Sequence, residues 1–164
     1  MIRYLWIIIF IANSVIAEQT QIEILPKTTK SNALYNYQIF CQGCHRPDGS
    51  GILGSVPALK SFMGYLTWSP KGRQYLMSSP GLSAPNLSEQ DRADLLNWIL
   101  LEFSEQSIPK DFQFFTHSEV AKNGDKVMLD TNQERQNIIK QIYHKLPDEI
   151  YKSRAFVDWY EITY

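Results

Sequence analysis

An all-α domain with a helical C-terminal extension is the fold class this sequence predicts, and three observations predict it. Ser88 and Asp91 form a capping box ahead of Leu95, Leu96, Ile99, Leu100 and Phe103, apolar residues at helical spacing. A second helix is predicted from Thr131 to Leu146, with Thr131 and Glu134 as its capping box. Ile138, Ile139, Ile142, Tyr143 and Leu146 share one face there, and Pro147 stops it. No strand pattern precedes Cys41. At 164 residues the chain has room for one domain and a modest core, not two.

Taken in chain order, the N-terminus reads as an address. Met1-Ile2-Arg3 carries one positive charge, Tyr4 to Ala12 is unbroken apolar, and Val15-Ile16-Ala17 suits a signal peptidase. Residues 1–17 are therefore expected to be a secretory signal peptide cut before Glu18. An uncleaved anchor is the alternative, but the run is short of the roughly 20 residues a spanning helix needs, so no stable membrane span is expected in the mature chain. Residues 18–32 read as a linker and 33–106 as the main domain. That domain opens on a short aromatic-rich helix, Ala33 to Phe40.

Residues 107–164 form the extension. Asp111-Phe112-Gln113-Phe114-Phe115 is an aromatic cluster suited to packing back onto the main domain. Thr116 and Glu119 would cap a short helix ended by Asn123-Gly124. Ala155 to Tyr160 allows a short strand or a docked extended tail. His117 and His144 have no partner motif and read as surface or capping residues. Sixteen basic against seventeen acidic residues leave a net charge of −1, which argues against a general nucleic-acid binder.

The chemistry is concentrated in Cys41-Gln42-Gly43-Cys44-His45, a C-x-x-C-H attachment motif for c-type heme. Two thiols at this spacing can reach the vinyl groups on neighbouring pyrroles and become thioethers. The adjacent His45 is then carried beneath the ring and offers a nitrogen to the iron. A structural zinc site needs four ligands, and this chain has no second cysteine pair. A thioredoxin-like pair needs a βαβ setting, which is not predicted here.

Residues 33–103 resemble the class I monoheme cytochrome c family through more than that motif. Cys44-His45-Arg46-Pro47-Asp48-Gly49-Ser50-Gly51 is similar to the family's motif tail, and Val56-Pro57-Ala58-Leu59 to its proline segment. The stretch Leu95 to Leu100 resembles the family's C-terminal helix, which crosses the N-terminal one and makes Trp98 a core residue. The resemblance implies a cytochrome c-like helical domain around one covalent heme c. Cys41 and Cys44 would be its thioether attachments, and His45 its proximal iron ligand. The Pro57 carbonyl would accept a hydrogen bond from the other nitrogen of His45, fixing the imidazole.

For the sixth position the resemblance implies a methionine from a loop before the C-terminal helix, and Met77 fits best. The spacing departs from the family's pattern: 32 residues from His45 is short, and Met77 lies far ahead of Trp98. Met63, another ligand and an open iron stay as alternatives; Met128 lies beyond the resembling region.

The function implied is a periplasmic electron carrier, not an enzyme, passing single electrons between redox partners. An exported dehydrogenase would be the donor, and a cytochrome oxidase or another cytochrome the acceptor. The alternatives are a heme subunit of a larger exported complex, docked by its tail, and a five-coordinate heme that binds small gases or peroxide. In the last, Arg73 is the candidate distal group. Arg46, Lys60, Lys71 and Arg73 outnumber Asp48 between Cys41 and Leu87, whereas acids dominate from Ser88 to Gln106. Such a dipole would steer an acidic partner to the heme face.

Overall fold

A computed structural model describes residues 27–83, 86–124 and 130–160. The signal-peptide expectation for 1–17, most of the linker and Met128 lie outside them. The described residues form seven α-helices joined by loops and short 3-10 turns, with one isolated bridge between Ile52 and Val56 and no strand. Among them no helix is long and apolar enough to cross a membrane.

Helix α1 (Lys27–Phe40) begins earlier than predicted. Its first turns are polar and cost little in water, while its buried contacts start at Ala33 and Tyr37, one turn apart. It packs against α3 (Glu89–Ser104), where the Tyr37 ring lies 5.4 Å from Trp98 and 5.3 Å from Phe103. The capping box of α3 is as predicted: the Asp91 amide donates to Ser88 Oγ at 3.1 Å, and that hydroxyl donates to the Asp91 carboxylate at 2.6 Å. Trp98 is buried among these rings, as the sequence suggests.

Between them lies α2 (Pro70–Met77), a helix that the sequence pattern did not predict. Its signal is present in Ser69-Pro70: the Gly72 amide donates to Ser69 Oγ at 3.0 Å, and proline sits at the first helical position. Met77, predicted to lie in an irregular loop, is the last residue of this helix.

The extension is helical and folds back on the main domain. Helix α4 (His117–Asn123) has the predicted Thr116 cap and Gly124 stop. Helix α5 (Thr131–Ile142) is capped one residue earlier than predicted, by Asp130, whose carboxylate accepts from the Gln133 amide at 2.8 Å. Glu134 reaches outward instead and pairs with Lys71 at 2.8 Å. A 3-10 turn over Tyr143–Lys145 ends this segment, and α6 (Asp148–Tyr151) follows.

The final segment is a helix, α7 (Arg154–Tyr160), not a strand or an extended tail. Phe156 and Trp159 are both buried, and a three-residue interval puts them on one face of a helix but on opposite faces of a strand. Phe156 meets the rings of Phe62 and Tyr65, while Trp159 Nε1 donates to the Ala58 carbonyl at 2.7 Å, across 101 residues of chain.

Two further ties close the extension onto the domain. The Asn97 side chain donates to the Phe115 carbonyl at 2.9 Å and accepts from its amide at 2.8 Å. Arg73 grips both carboxylate oxygens of Glu119, at 3.1 and 2.8 Å, with its guanidinium 3.9 Å from the centre of the Phe115 ring. The predicted return of the aromatic cluster is thus built around Phe115.

Candidate functional site

The motif sits where the hydrogen-bond ladder of α1 runs out. The amides of Cys41 and Gln42 both donate to the Tyr37 carbonyl at 2.9 Å, and those of Cys44 and His45 turn back onto the Cys41 carbonyl at 3.1 and 2.8 Å. Tyr37 also donates its hydroxyl to the Arg46 carbonyl at 2.6 Å. One helix end and one tyrosine therefore hold all three chemistry-bearing residues in a single tight turn.

The motif tail closes back beneath them. Asp48 accepts from both the amide and the hydroxyl of Ser50, bonds that hold its carboxyl below the ordinary carboxylate range. Gly49 has a φ of +74°, and a Cβ there would collide with the Phe103 ring, so the position requires glycine. Its carbonyl accepts from the amides of Leu59 and Lys60 at 2.8 and 3.1 Å, which brings the Pro57 segment alongside the motif.

These segments form one wall of a cavity of about 290 Å³. Cys41, Cys44, His45 and Pro57 line it on that side. Met63, Leu66, Tyr75 and Leu82 line it from elsewhere in the main domain, and the extension adds Thr131, Asn132, Arg135 and Trp159. Most of the lining is apolar.

Cys41 is buried and Cys44 exposed, and no disulfide joins them. Burial pushes the Cys41 thiol up to about 11, with the neighbouring Cys44 adding to the effect. A thiol-exchange nucleophile needs the opposite shift. Burial also lowers the pKa of His45, against an opposing pull from the Pro57 carbonyl, and so favours the neutral imidazole that can ligate a metal. The Pro57 carbonyl is near enough to His45 to act on its imidazole, although the contact at Nδ1 falls short of a well-formed hydrogen bond. Among the described residues no three His, Cys, Asp or Glu side chains cluster as a metal site.

A covalently attached heme fits this donor set. Two thiols and an imidazole occupy one wall of an apolar cavity, and a single histidine with no carboxylate beside it suits a porphyrin iron better than a bare cation.

The structure does not bring Met77 to the cavity. Its side chain is 2% exposed and packs in the core, while its neighbours Tyr75 and Leu76 face the lining. Of the methionines among the described residues, Met63 is the one that lines the cavity. Arg73 is also elsewhere, committed to Glu119 and the Gln113 carbonyl at 2.9 Å. His117 and His144 are exposed, as expected.

The basic excess expected around the motif is largely answered from within the chain. Lys71 pairs with Glu134 and Arg73 with Glu119, both acids of the extension, and Lys60 lies 3.7 Å from Asp48.

Arg135 is the residue that sequence reasoning missed. It lies in the polar run Thr131-Asn132-Gln133-Glu134, followed by Arg135-Gln136-Asn137, where nothing local marks it for burial. Yet it is only 2% exposed and lines the cavity. Compared with models of protein families, with curated proteins and with solved structures, the chain matches none.

Proposed function

We propose that this chain is a periplasmic c-type cytochrome that carries single electrons through one covalently attached heme. The observation that carries the reading is that Cys41, Cys44 and His45 line one wall of a single apolar cavity. Heme attached there would cycle between ferrous and ferric iron, one electron at a time. Cys41 and Cys44 would hold the porphyrin by thioethers, and His45 would present its imidazole to the iron. Of the methionines among the described residues Met63 lines the cavity and would be the candidate second iron ligand, a role that the sequence pattern favoured for Met77. The packing of α1 against α3 supports the cytochrome c-like reading of residues 33–103.

The extension supports a freely diffusing carrier over a permanently docked subunit. Its buried aromatics and both of its acidic clamps are engaged with its own domain. The partners proposed remain an exported dehydrogenase and a cytochrome oxidase or another cytochrome. A second reading, a five-coordinate heme open to small gases or peroxide, is favoured by the placement of Met77 away from the cavity.

The test is the absorption spectrum of the reduced protein, expressed with heme-attachment machinery, before and after carbon monoxide. A low-spin c-type spectrum that carbon monoxide leaves unchanged in the parent and in Met77→Ala, but shifts in Met63→Ala, is the expected result. A prompt shift in the parent would favour the second reading. No covalent heme at all would overturn both.

A further inference from the structure

Helix α5 turns a mixed face to the interior. Ile138, Ile139 and Ile142 are fully buried and apolar, but one turn towards the N-terminus the same face carries Arg135, and then Thr131 and Asn132. These three polar residues are the ones α5 contributes to the cavity wall. A helix that needed only to pack would continue the isoleucine stripe.

A guanidinium keeps its charge at any accessible pH, and burying one is costly unless acceptors or an anion meet it. Arg135 has its guanidinium carbon 5.9 Å from the centre of the Trp159 ring, and Trp159 is itself anchored to the Ala58 carbonyl beside Pro57. An arginine fork has five donors, enough to serve a carboxylate bidentately alongside its other contacts. Among the described residues the cavity wall carries no Asp or Glu, so an anion entering it meets this cation and no acidic repulsion.

We infer that Arg135, with Thr131 and Asn132 beside it, binds the propionate carboxylates of the tetrapyrrole in this cavity. The inference rests on the heme reading above. It also gives the extension a specific role, that of adding a polar, anion-binding stretch to the lining of the cavity that the thiols share.

The test uses the chain with Cys41→Ala and Cys44→Ala, so that porphyrin exchanges freely, and compares heme with its dimethyl ester, in which both propionates are neutral. With Arg135 present, heme should bind at least about tenfold more tightly than the ester, the discrimination expected of a charge-assisted pair. Arg135→Leu should reduce that ratio to within about twofold, and Arg135→Lys, a point charge without the fork, should fall between. An unchanged ratio in Arg135→Leu, or an equal loss for both porphyrins, would overturn the assignment and leave Arg135 a packing residue. Should Arg135→Leu not fold, as read by circular dichroism, Arg135→Lys and Arg135→Gln carry the comparison. If the parent binds heme and ester equally, the propionate assignment falls while the heme reading stands. If it binds neither, the propionate assignment falls, while the heme reading is decided by covalent attachment to the parent chain.

Discussion

The two walls of the cavity are built in opposite ways. The motif wall, Phe40 to Leu59, is one continuous stretch, folded by its own turns and by the end of α1. The rest of the lining is assembled from segments around Met63, Tyr75, Ile99, Arg135 and Trp159, spread over nearly a hundred residues. The chemistry is therefore placed locally, whereas closure is placed by tertiary packing. Damage to the extension should open the cavity while leaving the Cys41–His45 turn largely formed.

The largest break in that comparison should come from Phe156→Ala. Phe156 is fully buried and meets the rings of Phe62, Tyr65 and Trp159. Truncating it should destabilise the fold by about 3–5 kcal/mol, read from urea unfolding. A loss under about 1 kcal/mol would mean that the extension does not hold the rest of the lining in place.

Asn97→Ala should come next. It leaves the buried amide and carbonyl of Phe115 without their side-chain partner, at a cost of about 2–3 kcal/mol. Hydrogen exchange should then show faster opening at Phe115 and in α4, with the amides of Cys44 and His45 little changed. Equal acceleration at both places would deny that the two walls are separable.

The smallest effect probes the motif wall itself and is absent at neutral pH. Burial pushes the Tyr37 hydroxyl up to about 12, and the nearby Cys41 and Asp48 add to the shift. In the unfolded chain a tyrosine ionises near 10. Below about pH 10 both states are neutral and the contribution of Tyr37 is complete. Between about 10 and 12 only the unfolded state ionises, so stability falls as pH rises. Subtracting the stability profile of Tyr37→Phe from the parent's should isolate this decline. A flat difference over that window would place Tyr37 in contact with water.

What could be read in advance follows the same division. The tight turn of Cys41 to His45, the Ser88 box, and the Thr116 cap with its Gly124 stop are each a few adjacent residues acting through short-range hydrogen bonds. The errors arose where two local solutions compete. Asp130 and Thr131 can both cap a helix, and the carboxylate won, releasing Glu134 to Lys71. The segment Ala155 to Tyr160 allows either period, and helical burial of Phe156 with Trp159 decided it. Met77 sits near prolines and serines that suggest a loop, yet Ser69-Pro70 had already started a helix through it.

By itself the sequence determined where the thiols and the imidazole stand relative to one another, because three residues within five are tied by covalent geometry and one turn of backbone. It also determined the main helices, through caps and apolar spacing. Only the tertiary structure decided which of the described methionines reaches the cavity, which acids pair with Lys71 and Arg73, and that an arginine in a polar run is buried in the same cavity as the motif. Those outcomes depend on side chains from distant segments competing for one enclosed volume, and no local pattern records who wins that competition.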